Sequence, residues 1–403
     1  MTPRRHFLQA TAASAVPAAL AAAQAAGKGP LIRKVEVFPT AVPFAQTFVI
    51  GSGPVGSSGG AGRYAYVRVE AEDGQVGWGE TNTLPTWSYE TLESVVGTVR
   101  HHLAPVLIGR SPFDQAYFQK QFDERLMPAI SQGFPFAKSA ALTATLDLAG
   151  KIAGLPLHRF FGGRIHDKIE LCYALSIDTP EAMARFAARY QYVKCFKLKV
   201  AGDPDMDDKR VRAVVEARPD AGIWLDANQS YRPIHLESFL KKIEGIAQIK
   251  CLEQPVKSVD WLGMKRARDR SPLPIALDEG CFSSYDVARL ARMEAGDLVV
   301  LKVAKSGGLW GCQRSAIVAE ANGLGLLGSG LTESGVGLTA AIHLYATMDL
   351  LLPPELNGPE FLADLMVDGL TIEGATVTVP DAPGLGVRVK EDRIRAAAIP
   401  LGT

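Results

Sequence analysis

Apolar and polar residues alternate along two early stretches, "LIRKVEVFPT" and "RYAYVRVEAEDGQVGWGE". Side chains two apart in a strand share a face, so both read as antiparallel strands, with Asp73-Gly74 as a hairpin turn in the second. Between them lies "GSGPVGSSGGAG", Gly51 to Gly62. Its glycine content predicts a mobile loop that does not pack. Helical spacing follows over roughly 88–105 and 112–128, and again through "AKSAALTATLDLAGKIAG".

From residue 169 the pattern becomes a repeat. Short apolar runs recur at "IELCYAL", "CFKLKV", "IWLDAN", "IKCLEQP", "PIALDE", "LVVLKV" and "GLLGSG". Amphipathic stretches such as "DDKRVRAVVEAR" and "SYDVARLARMEA" separate them. Strands alternating with helices make βα units and a parallel sheet. Seven or eight units in one domain predict a closed barrel, with an eighth strand near "MDLLLPPEL". The fold class expected is α/β: a (β/α)7β TIM-like barrel with an N-terminal α+β capping domain. The boundaries expected are 29–150 for the cap, 151–357 for the barrel, and 358–403 for a C-terminal segment that packs back on the cap.

Composition narrows the function. Lys plus Arg equals Asp plus Glu, 43 against 43, so the basic excess that nucleic-acid or membrane-surface binding needs is missing. Residues 1–28 start basic, continue alanine-rich and end in small residues, the layout of an export signal. Arg4-Arg5 before Phe7-Leu8 resembles a twin-arginine signal, which predicts a periplasmic or exported protein; without export the chain would be cytoplasmic. Five cysteines at wide spacing, with no Cys-x-x-Cys pair, form neither a disulfide framework nor a zinc site and read as buried free thiols.

The candidate chemistry sits at the strand ends. "CFKLKV" carries Lys197 and Lys199 on one face of a strand. The following strands end in Asp226, Glu253, Asp278 and Lys302, at steps of 27, 27, 25 and 24 residues from Lys199. Charged residues at the C-terminal ends of successive barrel strands converge on the mouth, where barrel active sites lie. Asp226, Glu253 and Asp278 would repel one another if bare. A hard divalent cation resolves that, and oxygen-only ligands select Mg²⁺ or Mn²⁺. Lys199 and Lys302, four strands apart in an eight-stranded barrel, would face each other across a metal-bound substrate. A lysine beside a cation has a depressed pKa and can act as a base. The set suits removal of a proton next to a carboxylate, with the cation stabilising the enediolate. Against this, a lone strand-end acid more often caps a helix, and a lysine pair can protect an edge strand.

These residues carry a resemblance. With "GWGE", "LAPVLIGR", "FAKSA", "LDLAGKIAGLPL", "KLKV", "LDAN", "CLEQP", "ALDE", "LKVAKSGG", "ESGVG", "ELNGPEF" and "APGLGV", the chain resembles the enolase superfamily, within it the muconate-lactonizing (muconate cycloisomerase) subgroup. The resemblance implies metal ligands at Asp226, Glu253 and Asp278 and acid/base lysines at Lys199 and Lys302. It implies a carboxylate-polarising Lys197. Asn228, Glu279, Lys305 and Glu333 are implied to lie around the metal or the substrate, and a homo-oligomer is expected. A mandelate-racemase branch would place a histidine after strand seven; "GLGLLGSGLTESGVG" has none, and His343 reads as structural.

In this family the cap loops choose the substrate, here Gly51–Gly62 and "TLPTWSYET", with Trp87 and Tyr89 as lid contacts. The partner expected is a small-molecule carboxylate, with no nucleic acid and no membrane. Muconate metabolism belongs to the cytoplasm, so an export signal favours some other carboxylate. Cycloisomerisation, racemisation or epimerisation, and elimination all remain open. Two other classes are a Schiff-base aldolase, which needs one buried lysine, and a non-catalytic exported binding protein.

Overall fold

A computed structural model describes residues 29–129 and 132–401; the expected export signal lies outside them. The cap is built on an antiparallel sheet of β1 (Ile32–Pro43), β4 (Ala61–Ala71) and β5 (Val76–Thr83). Between β1 and β4 a small hairpin forms from β2 (Phe48–Ile50) and β3 (Gly53–Gly56). The predicted mobile loop is therefore wrong: glycine here permits close packing. A Cβ on Gly51 would overlap the Ala227 carbonyl oxygen at the barrel mouth. The hairpin is tied to the barrel by Val49 N donating to Ser176 Oγ (2.9 Å) and Ile177 N donating to Val49 O (3.0 Å).

The helix Pro135–Ala153 lies across the sheet. Its alanines and the glycines of β5 let the layers approach closely; a Cβ on Gly79 would overlap the Ala140 carbonyl oxygen. The stretch expected as one helix over 88–105 starts later, at Leu92, behind a capping box on Thr91, and passes through a single π-turn at 99–103.

The barrel strands are β7 (Tyr173–Leu175), β8 (Cys195–Lys199), β9 (Gly222–Asp226), β10 (Ile249–Glu253), β11 (Ile275–Leu277), β12 (Leu298–Leu301) and β13 (Gly325–Gly328), parallel and in chain order. "IELCYAL" is split: its first part is β6 (Lys168–Glu170), which leaves the barrel to pair with residues 376–378. The eighth position is a short extended segment. It closes the barrel through Leu351 N to Leu326 O, Glu355 N to Gly328 O and Cys172 N to Pro354 O, all at 2.9–3.0 Å. Barrel helices start on side-chain caps such as Thr179, Asp203, Asp260 and Ser283, each accepting from a first-turn amide. Near the C-terminus, Ala41 N donates to Ala397 O and Ile399 N to Pro39 O, placing that segment on β1. All five cysteines are buried and free. Among the described residues no helix is long and apolar enough to cross a membrane.

Candidate active site

Lys197 and Lys199 both point inward and are buried, as are Asp226, Glu253, Asp278, Lys302 and Lys305. They meet at the C-terminal ends of β8 to β12. Lys199 Nζ donates to Asp226 Oδ2 at 2.5 Å. Lys302 Nζ donates to Asp278 Oδ2 at 2.7 Å, and Lys305 Nζ donates to Asp278 Oδ1 and to its backbone oxygen, both at 2.7 Å. Lys197 Nζ donates to Glu253 Oε1 (3.1 Å), lies 3.2 Å from Asp226 Oδ2, and sits 4.3 Å from the Trp224 ring centre.

The repulsion among the three carboxylates is relieved here by four ammonium groups, and among the described residues no three His, Cys, Asp or Glu side chains are arranged to hold a metal ion as they stand. Burial would raise Asp226, but Lys199 and Lys197 outweigh it and hold its carboxyl at about 2. Asp278 is likewise held far below the usual range: Lys302 and Lys305 overcome the burial penalty. Glu253 goes the other way, raised by burial and by Asp226 against the pull of Lys197. Burial alone would lower Lys302, but the Asp278 carboxylate more than compensates and the pKa is raised.

Several buried oxygens nevertheless lack hydrogen-bond partners. Glu253 Oε2 is one, although Lys197 Nζ lies 3.0 Å from it. Asn228 Oδ1 and Glu279 Oε2 are others, in a pair joined by Asn228 Nδ2 donating to Glu279 Oε1 at 3.1 Å. Burial, with Asp278 adding, pushes Glu279 up to about 7. Unsatisfied acceptors in a dry site are costly, and an oxygen-seeking cation would satisfy them. Asn228, Gln229 and Gln254, at the ends of β9 and β10, all have positive φ, a strain that gathers at functional sites.

Lys199, Lys302 and Asn228 line one small cavity of about 20 Å³, together with Phe48, Ile50 and Val55 of the hairpin. Trp87 also lines it, with Lys302 Nζ 4.3 Å from its ring centre. Tyr89 does not; it is half exposed and lines a larger cleft outside. Glu333 is buried beyond the cavity, its Oε2 accepting from Leu331 N at 2.8 Å, and burial pushes it up to about 7.

Other residues also build the site. Glu355 and Asn357, from the eighth position, line the cavity, and Ser329 Oγ bridges Lys197 (3.3 Å) to Glu355 (2.7 Å). Their signal is "ELNGPEF", a strand end like the five already named. Glu80, the last residue of "GWGE", caps the helix Gly335–Tyr345 from the other domain. It accepts from Ser334 N (2.6 Å), Ser334 Oγ (2.6 Å) and Gly337 N (3.0 Å), while Ser334's own side chain provides no cap. Tyr64, Tyr66 and Asn82 bond the same turn, at Thr332 O, Ser334 Oγ and Leu331 O.

Residues 34–162 match the mandelate racemase/muconate lactonizing enzyme N-terminal domain, and residues 181–393 match the enolase C-terminal-domain-like family. The chain belongs to the enolase superfamily, muconate-lactonizing subgroup. It is 32% identical to muconate cycloisomerase 1 of Pseudomonas putida over 81% of this chain and 88% of that one. With the N-succinyl-L-Arg/Lys racemase of Bacillus cereus it shares 29% identity over 91% and 98%. The dipeptide epimerase of Cytophaga hutchinsonii, solved with Mg and D-Ala-L-Val, superposes with a TM-score of 0.84 at 28% identity, covering 91% of this chain and 98% of that one. The superfamily chain is therefore an isomerase, and the aldolase and non-catalytic readings fall away.

Proposed function

We propose that this protein is a divalent-metal-dependent isomerase of the muconate-cycloisomerase type, moving a proton at the carbon next to a substrate carboxylate. The observation that carries this is the placement of Lys199 and Lys302. They come from strands four apart in the barrel, yet line one cavity. A carbon held between them presents one face to each. One free amine removes the proton and the other, as ammonium, delivers one to the opposite face. That arrangement equally supports racemisation or epimerisation, the second reading.

Asp226, Glu253 and Asp278 are the residues that would hold Mg²⁺ or Mn²⁺. Bound there, the cation would supply charge stabilisation for the electron-rich carboxylate left when the proton departs. Lys199 and Lys302 occupy two of those carboxylates in this structure, so each must release its partner before it can serve as a base. Lys305 keeps Asp278 in place, and Lys197 brings a fixed positive charge toward the substrate carboxylate. Export through residues 1–28 and assembly into a homo-oligomer belong to the same proposal.

The test is hydrogen–deuterium exchange at the α-carbon, followed by NMR over a panel of carboxylates with Mg²⁺ or Mn²⁺. Lys199→Ala and Lys302→Ala should each lower exchange by at least about 100-fold. Exchange that survives both substitutions, or that chelator leaves untouched, would refute the assignment. Ring closure against stereoinversion in the product separates the two readings.

A further inference from the structure

Trp87 is the wall between two spaces of very different size. On one side is the cavity of about 20 Å³ between the lysines, room for about one water molecule. On the other is a cleft of about 780 Å³, the size at which small molecules are bound. A substrate whose reacting carbon sits between Lys199 and Lys302 finds this cleft next to it.

The cleft has a definite chemistry. Trp87 and Phe282 stack there at 5.7 Å between ring centres, and Phe134 and Trp261 add two more rings. Arg289 lays its guanidinium 4.4 Å over the Trp261 ring. Among the described residues no carboxylate forms an ion pair with Arg289. Two acids share the lining, Glu279 and Asp286: Glu279 Oε1 accepts from Asn228 Nδ2 at 3.1 Å, and Asp286 Oδ2 accepts from Phe282 N, Ser283 N and Ser283 Oγ. The Trp87 indole Nε1 is buried in the shared wall without an acceptor. Aromatic faces, an unpaired guanidinium and an unused donor describe a complementary ligand: a flat ring bearing an anion.

We propose that this cleft is the subsite for the far end of the substrate. It takes an aromatic group carrying a second anion, with the ring among Trp87, Phe282 and Trp261 and the anion on Arg289. This rests on the isomerase reading, because it assumes that the reacting end lies between the lysines.

The test uses the full chain with Mg²⁺ and three probes: N-acetyl-L-alanine, N-benzoyl-L-alanine and N-(4-carboxybenzoyl)-L-alanine. Binding is measured by calorimetry and α-proton exchange by NMR. The carboxybenzoyl probe should bind about tenfold more tightly than the benzoyl one. Arg289→Met should reduce that preference to about one, and Trp261→Leu should reduce the preference for benzoyl over acetyl. Three probes that bind alike, none binding tighter than about 1 mM, or a preference that survives Arg289→Met would overturn the subsite. Arg289-dependent binding without exchange would defeat the isomerase reading and leave the subsite standing. Exchange without discrimination would do the reverse.

Discussion

Glu90 anchors the loop that carries Trp87 and Tyr89. It is fully buried, and its carboxylate accepts from Phe136 N (2.8 Å) and Ala137 N (3.2 Å), at the start of the helix Pro135–Ala153. Burial outweighs those two donors and pushes its pKa from the ordinary 4.5 to about 7. A folded pKa above the unfolded one means that the fold binds this proton more tightly. The stabilisation is complete below 4.5 and is lost as pH rises through about 7. Between about pH 5 and pH 8 the loss integrates to roughly 2–3 kcal/mol. Glu90→Gln keeps the shape and cannot titrate. Urea unfolding of both proteins at the two pH values, compared as a difference of differences, cancels every other titrating group. Wild type should lose roughly 2–3 kcal/mol more than the variant. An equal response to pH in the two proteins would refute the reasoning, and would mean that the helix N-terminus and its two donors keep Glu90 charged throughout.

Glu80→Ala removes three hydrogen bonds across the domain boundary and should cost about 3–4 kcal/mol in urea unfolding; a cost below about 1 kcal/mol would show that water or Ser334 takes over the cap. Gly51→Ala must push the β2–β3 hairpin off the Ala227 carbonyl, so stability should fall by about 1–3 kcal/mol and α-proton exchange with it, whereas a hairpin free to move would leave both unchanged. Mg²⁺ should raise the thermal midpoint in proportion to the logarithm of its concentration. Glu253→Gln should abolish that rise, and its persistence would place the cation elsewhere.

The strand ends were legible because a barrel repeats. One βα unit takes a nearly constant length of chain, so Lys199, Asp226, Glu253, Asp278 and Lys302 fall at near-equal steps and each end is recognised by its neighbours. Which lysine neutralises which acid was not legible. It depends on how side chains cross the barrel, as with Lys197, which reaches Glu253 two strands away. The role of Glu80 is not legible in "GWGE", because its partner is 254 residues on and reads there only as Ser-Gly. Nothing local in "GWGE" says that a helix waits for an acceptor. The glycine-rich stretch misled for the opposite reason. Its composition suggests freedom, whereas Gly51 supplies room against a carbonyl that the sequence does not place beside it. Each failure involves a residue whose meaning lies in a single distant partner. The same holds for Trp87: its sequence neighbours mark a loop, and only Lys302 behind it and Phe282 in front make it a wall between two sites.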